Sequence, residues 1–477
     1  MRNYREIPLY RDVTPEQWND WRWQLAHRIT RVDQLKQVIN LIPEEEEGIR
    51  ASLLTLRMAI TPYYATLIDP DDPTCPVRRQ AVPSSRELER SPGEMDDPLH
   101  EDLDSPVPGL THRYPDRVLF LLTDQCFNYC RHCTRKRLVG VRDKPAPRER
   151  VERALDYIRA TPQVSDVLLS GGDPLTMADG RLEWVLGELR RIPHVEVIRI
   201  GTRAPVVVPM RITPHLCRTL ARYHPLWVNT HFNHPRELTP AARQAVGMLV
   251  DHGIPVGNQT VLLRGINDCP VVMRDLMRGL VRARVRPYYI YQCDLTWGLG
   301  HFRTSVRKGL EIMEMLRGHL SGFAVPTYVV DAPGGGGKIP LSPQYLLGMT
   351  EDRVILRNFE GVICAYREPS PSPDATRTAC PLCGGRCGQL GEGLGRLMYG
   401  GQVAMEPAEL ERARRRQSWA HPGGPGSRAE ATPPGSQALA ESAGTGLAAF
   451  GVDHGEVFAK IAEDERKGRD GYEDGDW

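Results

Sequence analysis

The sequence lacks the segments that place a protein in or across a membrane. It contains no apolar run of about 18 residues, the length that a transmembrane helix needs. Its first residues, MRNYREIPLYRD, have no apolar stretch of the kind found in secretory signal peptides, so we expect a cytoplasmic protein. Charge of neither sign is in excess, because the net charge is +1. We therefore expect no nucleic-acid partner and no membrane partner.

Two common phosphate-binding motifs are also missing. No G-x-G-x-x-G follows the first predicted strand, which disfavours an open doubly wound sheet. The four glycines at 334–337 do not form a Walker A loop either, because the spacing differs and no Ser or Thr follows Lys338.

Cysteine is the most informative residue that is present. The chain has 11 cysteines, an odd number without a secretory signal, which favours metal sites in a reducing compartment over disulfides. Cys126, Cys130 and Cys133, the cysteine triad, are spaced C-x3-C-x2-C. Three thiolates can hold three irons of a [4Fe–4S] cluster and leave the fourth open to bind and reduce a substrate. The alternatives are a zinc knuckle or three core cysteines.

The pattern of apolar residues predicts an α/β protein. Successive strands are followed by polar or glycine-rich residues and are separated by helical stretches such as 148–160 and 270–284. The predicted strands are 117–124, 166–170, 195–200, 226–230, 255–263 and 286–292. After the second strand, the strand starts are about 30 residues apart, the length of a βα unit. Six such units predict a partial (β/α)6-type barrel, with an open doubly wound sheet as the alternative.

The regions outside the barrel differ in composition. Thr14 and Gln17 form a capping-box pattern, and Trp18, Trp21, Leu25 and Ile29 follow on one face of a predicted helix. A second helix is predicted to begin near Pro43, and an extended region is predicted at 324–366. We predict four parts: a helical N-terminal wrap at 1–110, the barrel at 111–340, a C-terminal metal-binding and dimerisation segment at 341–410, and a disordered Pro/Gly/Ser/Ala-rich tail at 411–477.

Two further motifs follow predicted strands. In Ser170-Gly171-Gly172-Asp173, the glycines permit close approach of backbone to a ligand, and the carboxylate can accept from an ammonium. The second motif runs from Asp331 through the glycines at 334–337 to Lys338. Its N–H groups could surround a phosphate, and its lysine is a candidate Schiff-base residue. The simpler interpretations are a tight βα turn and a flexible surface loop.

Seven blocks of the sequence together resemble lysine 2,3-aminomutase, a family of radical S-adenosylmethionine (SAM) enzymes that also use pyridoxal phosphate. The blocks are PVPGLTHRYPDRVL, CRHCTRKR, DVLLSGGD, NTHFNHP, RPYYIYQCDL, DAPGGGGK and ILRNFEGV. The resemblance spans roughly residues 5–410. It implies a radical SAM barrel whose cofactors are a [4Fe–4S] cluster, SAM and pyridoxal phosphate.

The resemblance also implies roles for individual residues. The cysteine triad would hold the cluster, the 170–173 motif would bind SAM, and Lys338 would carry pyridoxal phosphate. The remaining roles are Arg113 and Arg117 on the phosphate, Arg135 on the substrate α-carboxylate, and Asp294 with Asp331 on a distal ammonium. Two aspartates would repel glutamate, so a cationic amino acid is expected.

The implied reaction is the interconversion of L-lysine and β-lysine through a 5′-deoxyadenosyl radical. An external electron donor such as flavodoxin or ferredoxin would reduce the cluster, and the enzyme would be a dimer or tetramer. The alternatives are a 2,3-aminomutase for arginine, ornithine or a protein-borne lysine. A non-catalytic iron–sulfur carrier and an inactive zinc-stapled scaffold are the non-enzyme alternatives.

A zinc site is the last expectation. Cys380, Cys383 and Cys387 are spaced C-x2-C-x3-C, and Cys269 is a candidate fourth thiolate for structural zinc. In the family, a comparable site joins subunits. The family spacing would place a cysteine at position 378, where this chain has Thr378, and Cys387 is the candidate replacement. The other cysteines, Cys75, Cys217, Cys293 and Cys364, are expected to be core or incidental.

Overall fold

The computed structural model describes residues 1–349, 353–367 and 415, which belong to one compact unit spanning residues 1–419. The predicted tail at 411–477, apart from residue 415, and residues 368–410 lie outside the described residues. The strands are β1 (Leu110–Tyr114), β2 (Arg117–Thr123), β3 (Asp166–Gly171), β4 (Val197–Gly201), β5 (Leu226–Thr230), β6 (Val256–Leu262), β7 (Arg286–Gln292), β8 (Thr327–Ala332), β9 (Gly337–Leu341), β10 (Leu346–Met349), β11 (Arg353–Arg357) and β12 (Ile363–Arg367).

Strands β1 to β9 form one sheet in sequential order. The neighbours from β2 to β8 are parallel, whereas β1 and β9 are antiparallel edge strands. The two edges approach each other, because the backbone N–H of Lys338 in β9 donates to Tyr114 Oη of β1 at 3.0 Å. The predicted partial barrel is confirmed, and β2 to β7 are the six predicted strands. The seventh parallel strand, β8, lies in the region predicted only as extended.

Some helices precede the sheet along the chain, and the others connect its successive parallel strands. Helix by helix they are α1 (Pro15–Asn19), α2 (Trp21–Ala26), α3 (Val32–Leu35), α4 (Pro43–Ser52), α5 (Pro62–Ala65), α6 (Pro76–Ala81), α7 (Arg148–Arg159), α8 (Asp179–Arg190), α9 (Ala204–Val207), α10 (Pro214–Ala221), α11 (Pro240–Asp251), α12 (Pro270–Arg282) and α13 (Val306–Leu316). In α7, buried residues recur at three- and four-residue spacing and face the sheet. Within the described chain, we find no helix that combines the length and apolarity needed to span a membrane.

The first predicted helix is shorter than its apolar pattern indicates. The Thr14–Gln17 capping box forms as predicted, but the helix ends at Asn19, because the backbone of Asp20 is extended. The Asp20 carboxylate then accepts from the Arg22 N–H at 2.9 Å and starts α2. Ile29 lies beyond α2 and pairs with Ile60 in an isolated bridge. The prediction of one continuous helix was wrong because a side-chain cap offers the backbone an alternative to helix continuation.

The residues before β1 pack against the loop that carries the cysteine triad. Glu87 and Arg131 form an ion pair at 2.6 Å, with exposed side-chain fractions of 0% and 4%. Trp21 meets Phe127 edge-on, with ring centroids 6.2 Å apart. The N-terminal region therefore forms part of the wall around the triad.

We predict that Glu87→Gln lowers the free energy of unfolding by about 3 kcal/mol. The change leaves the buried Arg131 guanidinium without its counter-charge, and breaking a buried pair by removing one partner typically costs about 3–5 kcal/mol. Guanidinium denaturation followed by circular dichroism measures the change. Asp251→Asn removes an exposed partner of Arg284 and serves as the control, with little expected effect. Equal losses in the two variants would contradict the prediction.

Candidate active site

The cysteine triad lies in the loop directly after β2, at the carboxyl end of the parallel strands. Backbone and side-chain bonds from the N-terminal region fix this loop. Arg28 Nη1 donates to the Cys126 carbonyl at 2.6 Å, and the Tyr129 N–H donates to the Ala59 carbonyl at 2.9 Å. The carboxyl ends of parallel barrel strands are where catalytic groups are found.

The Ser170–Asp173 turn follows β3 and is bonded to the segment that leads into the triad. The Gly172 N–H donates to the Thr123 carbonyl at 2.6 Å, and the Asp173 N–H to the Gln125 carbonyl at 2.7 Å. A Cβ added at Gly171 or Gly172 would collide with these same carbonyl groups. The glycines are therefore required for the close approach of two loops, whatever ligand binds beside them.

The carboxylate of Asp173 is already engaged within the protein. It accepts from Thr202 Oγ1 at 2.7 Å, from the Arg203 N–H at 2.9 Å and from the Leu175 N–H at 3.0 Å. These bonds tie the turn after β3 to the end of β4. Asp173 thus shapes the site from a buried position, and its contact with an ammonium stays a prediction.

The triad thiols fit a positively charged cluster. They line a cavity of about 60 Å³. Burial, with neighbouring Cys133 and Asp173 adding to it, raises the pKa of Cys126 well above its usual range. Burial and Cys130 raise the pKa of Cys133 to about 11. Bound iron would reverse this preference for the protonated thiols and would hold the three groups as thiolates.

The three cysteines of the triad are compatible with an iron–sulfur cluster. Within the described residues, no three His, Cys, Asp or Glu side chains converge to hold one ion. A cluster does not need that convergence, because each thiolate binds a different iron.

Several buried polar atoms at this end of the sheet have no hydrogen-bond partner in the described structure. They lie in the triad loop and in the segment from the end of β5 onward, and include atoms of Asn128, His132, Asn229, Thr230 and His231. The rings of His132 and His231 are 5.5 Å apart. Burial, with Arg203 adding to it, lowers the pKa of His231 to about 3, so this ring is neutral. Unpaired buried polar groups are costly, which fits a polar ligand such as SAM.

Arg203 is a site residue that the sequence reasoning missed. Its Nη1 donates to Cys130 Sγ at 2.8 Å, while its Nη2 donates to Gln80 and to Glu237, both at 2.7 Å. Glu237 also accepts from Tyr64 Oη at 2.6 Å. The partners come from segments more than 30 residues away, so no local pattern could have indicated them.

A second group of charges lies around Lys338. Asp331 and Lys338 face each other in the β8–β9 hairpin, and Lys338 Nζ is 3.2 Å from the nearer carboxylate oxygen of Asp331. The aromatic ring of Tyr291 lies 5.3 Å from the same nitrogen. The glycines at 334, 335 and 337 have positive φ angles and form the hairpin turn. Their predicted role around a phosphate stays a prediction.

Asp294 belongs to the same group. Burial and the neighbouring charge of Asp331 raise the pKa of Asp294 from 3.8 to about 7, while Lys338 and Arg135 oppose the increase. Two buried carboxylates near each other favour a bound cation. The structure therefore brings together Asp294, Asp331 and Lys338, and their roles toward substrate and cofactor stay predictions.

Arg135 connects this group to the triad. Its Nε and Nη2 bind the Glu101 carboxylate, with Nη2 to Oε1 at 2.7 Å. Burial opposes the charged form, but Glu101, followed by Cys133 and Asp331, raises the pKa of Arg135. Glu101 was missed because it lies 34 residues before Arg135, in a stretch without a motif.

Of the two arginines predicted for a phosphate, Arg113 lies in the edge strand β1 and Arg117 begins the neighbouring strand β2. Arg113 Nε donates to Asp104 at 2.9 Å. Arg117 pairs with Asp116 and stacks on Tyr114, 3.9 Å from its ring centroid. Since Tyr114 Oη accepts from the Lys338 N–H, this edge lies next to Lys338, and a phosphate contact stays a prediction.

The predicted zinc ligands are only partly within the described structure. Cys269 is exposed and immediately precedes α12. Cys380, Cys383 and Cys387 lie outside the described residues. Of the cysteines expected to be core or incidental, Cys75, Cys217 and Cys293 are buried, whereas Cys364 is exposed.

A parallel barrel with an open three-cysteine loop after its first parallel strand defines a radical SAM enzyme. The family model described as the Radical SAM superfamily matches residues 120–276, and the model described as Lysine-2,3-aminomutase matches residues 313–430. This chain belongs to the lysine 2,3-aminomutase family of radical SAM isomerases, which confirms the resemblance found in the sequence. The iron–sulfur carrier and the inactive scaffold are therefore set aside.

Three relatives illustrate the similarity. The L-lysine 2,3-aminomutase of Clostridium subterminale is 57% identical over 412 residues, covering 86% of this chain and 98% of that protein. The L-lysine 2,3-aminomutase of Fusobacterium nucleatum subsp. nucleatum is 61% identical over 76% of this chain and 85% of its own length. The glutamate 2,3-aminomutase of Clostridioides difficile is 46% identical over 76% of this chain and 85% of its own length.

We predict that Asp294 makes the stability of the protein depend on pH. Because its pKa is raised to about 7, the folded protein holds a proton there that the unfolded chain releases near pH 4. The contribution of Asp294 to the free energy of unfolding therefore falls as pH rises from about 4 to about 7 and is level above that. Asp294→Asn stays neutral, so the variant should gain stability relative to the wild type across this window.

Chemical denaturation from about pH 5 to pH 8, on protein prepared without pyridoxal phosphate or substrate, measures this difference. Asp251→Asn provides the exposed control. Parallel pH profiles for the wild type and Asp294→Asn would contradict the assignment.

Proposed function

We propose that this protein interconverts L-lysine and β-lysine by 2,3-migration of the amino group. The observation that carries the substrate assignment is the proximity of two carboxylates, Asp294 and Asp331, to each other and to Lys338 and Arg135. Lys338 supplies the positive charge next to Asp331 in the described structure. If its amine is taken up in holding pyridoxal phosphate, the carboxylates need another cation, and a lysine side-chain ammonium fits that need.

The two ends of the proposed substrate differ in charge. Arg135 carries the positive charge for an α-carboxylate, and among the described residues no acceptor bonds its Nη1. The aspartate pair would attract a distal ammonium and repel the side chain of glutamate. Relatives named for lysine and for glutamate both match this chain well, so overall similarity is a weaker argument than these two side chains.

Each cofactor has residues that would hold it. The cysteine triad would hold the cluster, the Ser170–Asp173 turn and the polar atoms near it would hold SAM, and Lys338 with Arg113 and Arg117 would hold pyridoxal phosphate. When bound, these groups supply the radical that removes hydrogen and the carrier for the migrating nitrogen. The protein contributes orientation by Arg135 and the aspartates, and its N-terminal region helps to exclude water.

The remaining partners are also part of the proposal. An external electron donor reduces the cluster, and subunits associate as a dimer or tetramer. Structural zinc would use Cys269, whose exposed position suits a ligand shared with another segment, together with Cys380, Cys383 and Cys387. A cytoplasmic location stays a prediction.

We predict that Lys338→Ala loses the absorbance of bound pyridoxal phosphate and lowers turnover of lysine below detection. The amine is the group that would bind the cofactor covalently, whereas the triad lies in a different loop. Iron content and the electron paramagnetic resonance signal of the reduced cluster should therefore match the wild type. Cys130→Ala is the complementary variant and should lose the cluster signal. Lysine turnover at the wild-type rate in either variant would refute the corresponding role.

We predict that Asp294→Ala weakens lysine binding by about 2–5 kcal/mol, because a buried ammonium loses one of its counter-charges. Anaerobic assays with lysine, ornithine, arginine and glutamate give kcat and KM for each substrate. The wild type should prefer lysine and reject glutamate, and the variant should lose most of this discrimination. Asp251→Ala controls for removing an exposed carboxylate. Unchanged lysine kinetics in Asp294→Ala would show that this carboxylate does not face the substrate.

A further inference from the structure

The cavity lined by the cysteine triad has further lining residues in two other segments of the chain. These residues include Leu56, Arg57 and Val139. Arg57 is exposed, and its Nη2 donates to the Val141 carbonyl at 3.1 Å. Two segments, 54–57 and 139–144, therefore contact each other beside the triad cavity.

The surface of these two segments, the cysteine-cavity rim, consists of Leu54, Arg57, Val141, Arg142 and Lys144. All five residues are exposed. Leu54 and Val141 are apolar side chains with 87% and 59% of their surface accessible. The other three are cations, none of which forms an ion pair with a carboxylate in the part of the chain that the structure describes. The rim thus combines two apolar contacts with three available positive charges.

The acidic groups of this loop do not neutralise those charges. Asp143 pairs with Arg28 at 2.7 Å and accepts from Tyr129 Oη at 2.5 Å. Asp124 uses its carboxylate to accept the backbone N–H groups of residues 142–144, two of them at 2.6 and 2.7 Å. These bonds fix the backbone of the loop, so the side chains of Arg142 and Lys144 are free to meet a partner.

We propose that the cysteine-cavity rim is the docking surface for an acidic one-electron carrier protein. The proposal rests on the proposed function, because it assumes that the triad holds a cluster that must be reduced. One electron passes from the reduced carrier to the cluster; the carrier is oxidised by one electron and the cluster is reduced by one. Complementary charge steers such a transient encounter, and the small apolar area suits the weak interfaces of electron-transfer pairs.

The position of the rim supports this occupant over others. Docking there places a carrier over the wall of the triad cavity, on a different segment of the chain from Lys338 and Asp294. Two exposed apolar side chains are too few for a stable interface between copies of this chain. If the rim instead served a second copy or an anionic small molecule, changing its charges would not slow the reaction with the carrier. The experiment therefore separates these occupants from a carrier protein.

The test uses the cluster-loaded protein and a reduced acidic flavodoxin as the probe. The variant is Arg142→Glu with Lys144→Glu, and the matched control is Arg218→Glu with Arg243→Glu, which reverses two exposed charges on α10 and α11. Anaerobic stopped-flow absorbance gives the rate constant of cluster reduction at low and high ionic strength. Dithionite, a small reductant that needs no docking surface, is used in parallel.

We expect the rim variant to be reduced by flavodoxin about tenfold more slowly at low ionic strength, with the difference shrinking as salt screens the charges. Dithionite should reduce all proteins at one rate. The neutral variant Arg142→Gln with Lys144→Gln should show an intermediate effect. It keeps the test decisive if the charge-reversed variant does not fold.

Three results would overturn the proposal: equal flavodoxin rates in the wild type and both rim variants, equal losses in the rim variant and the control, or no reduction of the wild type by flavodoxin. The proposed function fails separately, if dithionite-reduced wild type does not convert lysine. Because the docking test reads cluster reduction and not turnover, the two failures are distinguishable.

Discussion

The organisation of the site depends on one constraint: two carboxylates are buried close together and must share a positive charge. Asp294 follows the carboxyl end of β7 and Asp331 lies at the carboxyl end of β8, and burial favours the protonated form of Asp294. The β8–β9 hairpin supplies a compensating positive charge by placing Lys338 directly across from Asp331. A turn that tight needs residues with positive φ, which explains why glycine occupies positions 334, 335 and 337.

Compensation of charge also determines the contacts around the cysteine triad. Arg203 reaches Cys130 from the end of β4, and its charge is buried, so Glu237 and the amide of Gln80 compensate for it. Gln80 belongs to the N-terminal region, as does Glu87, which pairs with Arg131. The N-terminal helices therefore supply compensating groups as well as cover, and the triad loop cannot be considered independently of them.

Local signals in the sequence predicted the strands and the motifs well, whereas pairings between distant segments were not accessible. The six strands from β2 to β7 follow from apolar runs at regular spacing, and the cysteine triad from three cysteines within eight residues. The break between α1 and α2 was missed because the Asp20 cap competes with an otherwise helical pattern. Glu101 and Arg203 were missed because their roles come from partners 34 or more residues away.

Arg135 shows how the two halves of the site are held in fixed relation. It lies two residues after Cys133, so the covalent chain sets its distance from the triad. A turn follows it, because the Leu138 N–H donates to the Arg135 carbonyl at 2.8 Å. The guanidinium of Arg135 is in turn held by hydrogen bonds to the Glu101 carboxylate. A group restrained in this way can orient a ligand with little loss of side-chain entropy. Radical chemistry needs such restraint, because a reactive intermediate must meet one atom of the substrate and no other.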